Sequence, residues 1–377
     1  MAERIHDQIP TQRPHFGSEE ICAIREVLDS RWTGRGGYVD QFETEIKNRV
    51  GVEHVIAVQS GTAALHLALE ACIELGVAKP GDEVLVPTQT FAATPQAIIN
   101  AGLTPVFCDI ERSTLNLDPD DAKKRITPDT KIILPVHYRG EPCNMDEILA
   151  IAQEYNLWTI EDAAHAFGST YHGKPVGSLG HITCFSFDHI KNVTAIEGGA
   201  VATNIKKVAD ILGPMSNLGF KDGKVRGPGF RYHMPNLNAA IALTQLSRFE
   251  KQYIPARRHM AARYQKELNN LPGIKLLDLN LEETVPFFYV VLAENKERDK
   301  LKTYLDERGI QTIVRYDLNH LQPYFIERFG EVSLPVAERT FGQILTLPLF
   351  VEMTDAQQSR VIEAIKGFCY SEAYGRR

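Results

Sequence analysis

Between residues 54 and 205 short apolar runs alternate repeatedly with stretches of helical periodicity, and this alternation restricts the fold more than any other feature. The strand candidates are His54–Gln59, Glu83–Pro87, Pro105–Asp109, Lys131–Val136, Trp158–Glu161, Ile182–Phe187 and Ala200–Thr203. Helical patterns such as Thr62–Leu75, Pro95–Ala101 and Met145–Tyr155 fall between them. Strands that are apolar on both sides and joined by helices form a mostly parallel sheet covered on both faces. Residues 236–268 read as one long helical stretch, with Ala239, Ala240, Leu243, Leu246 and Phe249 at helical spacing. The pattern then changes to a strand (Phe287–Leu292), a helix (Lys296–Arg308), a strand (Thr312–Tyr316) and a last helix opened by the capping sequence Thr354-Asp355-Ala356-Gln357. The expected architecture is α/β: a large unit over residues 1–250, including the start of the linking helix, and a smaller C-terminal α+β unit over residues 251–377.

Ligands of open α/β sheets bind outside the carboxyl ends of the strands, so the residues at those ends are the candidates for chemistry. Ser60-Gly61-Thr62-Ala63-Ala64 follows the first strand and opens a helix, where small residues and N–H groups suit a phosphate; a plain N-cap accounts for it equally well. Phe91, after the second strand, could stack on a flat ring or simply belong to the core. Asp162 ends a strand in Glu161-Asp162-Ala163-Ala164-His165, where it could pair with a protonated ring nitrogen or cap a helix. Ser186 ends the strand before Lys191, and a Glu197-Gly198-Gly199 turn follows. Burying a lysine costs free energy, and a Schiff base with a carbonyl cofactor removes that cost; a solvated surface lysine is the plain alternative. Together and in this order the segments make a phosphate cradle, a ring stack, an aspartate for a pyridinium nitrogen and a Schiff-base lysine, the parts of a pyridoxal phosphate site.

The resemblance is then specific. Ser60-Gly61-Thr62-Ala63-Ala64-Leu65, Glu161-Asp162-Ala163-Ala164-His165-Ala166, the Phe185–Lys191 run with Glu197-Gly198-Gly199, and Tyr232-x-x-Pro-Asn-Leu-Asn-Ala-Ala-Ile241 resemble the DegT/DnrJ/StrS nucleotide-sugar aminotransferases, which are fold-type I pyridoxal phosphate enzymes. The likeness runs from Ile9-Pro10 to Leu347-Pro348-Leu349. It implies that Lys191 carries the cofactor and shuttles a proton, and that Asp162 faces the pyridinium nitrogen. It also implies that Gly61, Thr62, Ala63 and Ser186 hold the phosphate, that Phe91 stacks on the ring, and that His165, where many relatives have glutamine, lies near the phenolic oxygen. Arg231 stands where many relatives have an asparagine that reaches the neighbouring subunit's phosphate. The activity implied is amino transfer from L-glutamate, through the pyridoxamine phosphate form, to a nucleotide-linked keto sugar. A 4-keto-6-deoxyhexose is the expected substrate, supplying an amino sugar for a surface glycan such as lipopolysaccharide. A homodimer with shared sites is the implied assembly. Related chemistries are a 3-keto-sugar or cyclitol aminotransferase, a sugar dehydratase, which would have histidine at the lysine position, and a cofactor-binding regulator.

Arg31, Arg35, Arg139, Lys221 and Arg226 flank the proposed site and are the candidates to meet a diphosphate. With 41 basic against 48 acidic residues and no basic tract, nucleic acid is not expected as a partner. The absence of an apolar segment long enough to span a bilayer, and six scattered cysteines without metal or disulfide spacing, lead to the expectation of a cytoplasmic protein with reduced thiols and no metal site.

Overall fold

A computed structural model describes residues 8–375. Its centre is a seven-stranded sheet built from β1 (His54–Val58), β2 (Glu83–Pro87), β3 (Thr104–Cys108), β4 (Thr130–Ile133), β5 (Trp158–Asp162), β6 (Ile182–Ser186) and β7 (Gly199–Thr203). The spatial order is β1-β7-β6-β5-β4-β2-β3. Five strands from β6 to β3 pair in parallel, while β7 runs antiparallel to both its neighbours. The parallel strands are joined through helices, including α1 (Gly61–Glu74), α2 (Ala93–Asn100) and α3 (Met145–Tyr155). The carboxyl ends of β1, β2, β5 and β6 therefore share one edge, and the amino end of β7 lies there too.

The side chains that made the strand candidates apolar are the ones that are buried. Val58, Val84, Val86, Ile132, Ile160, Ile182 and Val201 form one face of the core with Ala64, Leu67 and Ala71 of α1. Ala57, Phe185, Ala200 and Ala202 face the other way, toward Phe42, Phe167 and Leu246. Five cysteines are buried, Cys22 is exposed, and all six are free thiols.

The stretch expected as one helix is three segments: α4 (Asn236–Arg248), a five-residue π-helical turn (Phe249–Tyr253) and α5 (Ile254–Glu267). The π turn buries Phe249 and Tyr253 while their polar neighbours Glu250 and Lys251 stay out, a widening that periodicity alone does not disclose. Beyond it stand an antiparallel sheet of β8 (Ile274–Leu276), β9 (Tyr289–Ala293) and β10 (Ile344–Leu347), with α6 (Arg298–Asp306) and α7 (Asp355–Gly375) against it. Residues 312–316, expected as a strand, make only an isolated bridge from Ile313 to Thr346. Their β-rich composition serves another purpose, because Arg315 and Tyr316 turn toward the large sheet. The expected capping box is present: Thr354 N–H donates to Gln357 Oε1 (3.0 Å) and Gln357 N–H to Thr354 Oγ1 (3.2 Å). Ile9 bridges Ile310, and Leu349 N–H donates to Thr11 O (3.0 Å), so the first described residues lie against this C-terminal part.

Candidate active site

A cavity of about 350 Å³ opens at the shared carboxyl edge of the sheet. Its lining includes Gly61, Thr62, Phe91, Asp162, His165, Ser186 and Lys191, each of them singled out in the sequence and here drawn from four separate strand ends. Parallel strands place these ends side by side although the residues are up to 130 positions apart in the chain.

Lys191 lies in the loop after β6, part-buried, with its Nζ 4.5 Å from the centre of the Phe287 ring. Burial lowers its pKa from 10.5 to about 8; the charges of Asp162 and Asp188 oppose that shift and Arg315 adds to it. Asp162, at the end of β5, is buried. Its Oδ2 accepts from Thr94 Oγ1 (2.8 Å) and its Oδ1 from the Ala164 N–H (3.0 Å). No helix starts at Asp162, so it is not a helix cap; the residues after it form a turn. Burial raises its pKa, while Thr94, Ala164 and Lys191 act to hold the carboxylate ionised.

His165 is stacked on Phe287 (centroids 4.6 Å, 22° between planes) and its Nε2 is 3.1 Å from Tyr316 Oη. Its Nδ1 is buried without a hydrogen-bond partner among the described residues, and burial holds its pKa well below the usual range, so the ring is neutral. Phe91, also in the lining, is 59% exposed and tilted against Tyr316 at 5.5 Å.

The Ser60–Ala63 segment caps a helix and also opens on the cavity. Ser60 Oγ accepts from the Ala63 N–H (3.1 Å) and caps α1, a helix of 14 residues, while Gly61 and Thr62 line the cavity. Ala63 itself is buried and outside the lining. A Cβ on Gly61 would sit 2.8 Å from Ser186 Cβ, and one on Gly199 would sit 2.3 Å from Ser60 O. Only glycines allow β1, β6 and β7 to close into this cradle at the positive end of the helix.

Two expectations, on Arg139 and Arg35, are corrected. Arg231, expected to face a neighbouring subunit, lies outside this cavity. It is exposed in an adjoining depression of about 650 Å³ with Thr33, Gln59, Glu197, His233 and Asn238. Arg139 is no mouth cation: it is fully buried, and it donates to Glu141 Oε2 (2.6 Å) and Asp278 O (2.8 Å). Arg35 is committed to Asp40 (3.4 Å) and Glu43 (3.2 Å), whereas Arg31, Lys221 and Arg226 are exposed.

Sequence reasoning missed the wall contributed by the last third of the chain. Phe287 lies under the Lys191 amine, and Arg315 and Tyr316 complete the lining. Phe287 is held by its N–H to Arg139 O (3.0 Å) and by Gln12 Nε2 (3.1 Å) and Arg257 Nη1 (3.2 Å) on its carbonyl. No local pattern marks these residues, because they reach the site only through the packing of the two sheets. A second pair missed lies beneath the site: His137 Nδ1 accepts from the Cys143 N–H, so its Nε2–H donates to the buried Glu161 carboxylate at 2.9 Å.

Among the described residues no helix is long and apolar enough to cross a membrane. Comparison with known proteins agrees with the geometry. Residues 14–366 match the model of the DegT/DnrJ/EryC1/StrS aminotransferase family. The chain is 37% identical to the spore coat polysaccharide biosynthesis protein SpsC of Bacillus subtilis (strain 168), over 97% of this chain and 98% of that protein. Its fold superposes on Spr1654 from Streptococcus pneumoniae in its PMP form (TM-score 0.91, 27% identity, 98% of this chain and 100% of that one). It also superposes on DesI in the presence of its TDP-sugar product (TM-score 0.87, 32% identity, 98% and 96%). With this fold, which is that of the fold-type I pyridoxal phosphate enzymes, and this match, the chain belongs to the DegT/DnrJ/EryC1/StrS family and is a pyridoxal-phosphate-dependent sugar aminotransferase.

Proposed function

We propose that the protein moves the amino group of L-glutamate onto a nucleotide-linked 4-keto-6-deoxyhexose, as a cytoplasmic homodimer supplying an amino sugar for a glycan. The observation that carries the amino-transfer half is the Lys191 amine, held with a lowered pKa in the same cavity as the Asp162 carboxylate. The residues fit pyridoxal phosphate: a glycine cradle at a helix start, a buried carboxylate, and an unpaired imidazole nitrogen, His165 Nδ1. Bound there, the cofactor supplies an electrophilic carbon and a ring that takes up the electron pair released at the donor's Cα. Thr62, Ser186 and the N–H groups opening α1 would hold its phosphate, and Phe91 would cover its ring. Asp162, already braced by Thr94 and Ala164, gives a protonated ring nitrogen its counter-charge. Lys191, neutral in an appreciable fraction near pH 8, takes the proton from the donor carbon and returns it on the other side of the exchange.

The sugar half is supported by the likeness to DesI with its TDP-sugar product and to SpsC of polysaccharide synthesis. The dimer is supported by Arg231, exposed beside the cavity in a depression that shares Ser60 and Glu197 with it. The exposed apolar side chains Ile21, Leu28, Trp32, Phe220 and Val225 give a second support. The test is a screen of UDP-, dTDP- and GDP-linked keto sugars with L-glutamate, scored by product mass. Reaction with free keto sugars or inososes as readily as with nucleotide-linked ones would replace the substrate assignment by a cyclitol aminotransferase.

A further inference from the structure

We infer that Arg315 is the carboxylate anchor for the amino donor, a residue assignment that rests on the amino-transfer reading above. Arg315 is 9% exposed and lines the same cavity as Lys191. Its guanidinium meets only neutral partners, Gln12 Oε1 and Tyr316 Oη, its Nε has no partner, and among the described residues it forms no ion pair. The other arginines buried this deeply are accounted for: Arg139 is paired with Glu141, and Arg257 donates to the carbonyls of Pro286 and Phe287, away from the cavity. A buried guanidinium without an anion is costly, and a planar fork with free N–H groups facing a cavity is suited to a carboxylate.

The surroundings specify which carboxylate. The Arg315 guanidinium carbon is 5.9 Å from the centre of the Phe287 ring, and the same ring lies 4.5 Å from Lys191 Nζ. Two cations therefore share one aromatic wall, and a ligand that brings an amine to Lys191 with a carboxylate beside it neutralises the second. An α-amino acid carries that pair of groups on one carbon, whereas the keto carbon of a sugar carries no carboxylate. The anchor is also fixed in place before any ligand arrives: the Arg315 carbonyl accepts from Gln89 Nε2 (2.8 Å) and from Tyr138 Oη, both buried. Arg315 thus separates the two halves of the reaction, binding the donor and ignoring the acceptor.

The test uses the holoenzyme. Arg315→Gln is expected to lower kcat/KM for the L-glutamate half-reaction about 10- to 100-fold, the loss of one charge-assisted contact. The half-reaction with benzylamine, which has no carboxylate, and that of the aminated enzyme with the keto sugar, each compared on the plateau of its own pH profile so that the effect of Arg315→Gln on the Lys191 titration drops out, are expected to stay within about twofold. Arg315→Lys, keeping the charge, is expected to recover part of the loss. Independently of turnover, calorimetric titration with glutarate is expected to weaken by a similar factor in Arg315→Gln. Equal losses for glutamate and benzylamine, or unchanged glutarate binding, would overturn the assignment and leave the amino-transfer reading standing. Wild-type enzyme that accepts an amine from no amino acid would instead overturn that reading, and this inference with it.

Discussion

Removing the cofactor exposes the property on which Lys191 depends, and its pH response can be worked out in advance. An amine attacks only when neutral. With a pKa lowered to about 8, about a quarter of Lys191 is neutral at pH 7.5, against about a thousandth for a lysine at 10.5. Because a lower-pKa amine is also the weaker nucleophile, by about tenfold over this shift, apoprotein labelled at pH 7.5 with a trace of an amine-acylating reagent is expected to acquire label at Lys191 about 20-fold faster per accessible amine than an ordinary lysine, read by peptide mass spectrometry. The rate should rise with pH and level off just above 8. The neighbours set the direction of any shift: Asp188→Asn removes a charge that favours the ammonium and should lower the midpoint, while Arg315→Gln removes an opposing cation and should raise it. The stability sign follows. A lysine whose folded pKa is depressed binds fewer protons in the native state, so its burial costs stability below about pH 8, a cost that fades as pH rises from 8 toward 10.5. A labelling midpoint near 10.5 would refute the reasoning, since the lysine would then be hydrated and the cavity no more than a surface groove.

Lys191→Ala is expected to abolish turnover, and Asp162→Ala to lose most activity and to release cofactor more readily on dialysis; normal turnover in either would remove that residue from the chemistry. Gly199→Ala, which drives a Cβ against Ser60 O and Gly61 N, should cost about 1–3 kcal/mol in urea unfolding and weaken cofactor retention, whereas Gly51→Ala, with open space around it, should leave cofactor retention unchanged. Charge reversal at Arg31, Lys221 or Arg226 should raise KM for the nucleotide sugar and spare the glutamate half-reaction. Arg139→Ala should instead destabilise the fold by about 3 kcal/mol by removing a fully buried side chain and leaving the part-buried Glu141 without its partner, and a pure KM effect would contradict the burial of Arg139. Sedimentation of the holoenzyme should show a dimer, and Arg231→Glu should loosen cofactor; an active monomer would refute both.

Much of the large unit was legible because its cause is local. Val84–Val86, Ile132–Ile133 and Phe185 are apolar along the strand since both faces of a parallel sheet are covered, and that writes itself into consecutive residues. The segments lining the cavity were legible for the same reason: Asp162 and Ser186 each terminate a strand and Ser60 follows one by two residues, and the topology of an open sheet brings such ends together. What lay beyond the sequence depends on contacts with no fixed spacing. Residues 312–316 have a strand's composition, yet the chain spends them on the cavity wall, where Arg315 and Tyr316 gain more from Gln89, Tyr138 and His165 than from a ladder. Arg139, a plausible mouth cation on its charge alone, is buried because its turn packs on the 285–287 strap; a Cβ on Gly140 would lie 2.3 Å from Val285 O. The sequence by itself determined which residue types stand at each strand end, because hydrophobic periodicity is a property of neighbours in the chain. Only the tertiary structure decided which cations are buried, paired or left facing the cavity, because desolvation and pairing are set by neighbours in space.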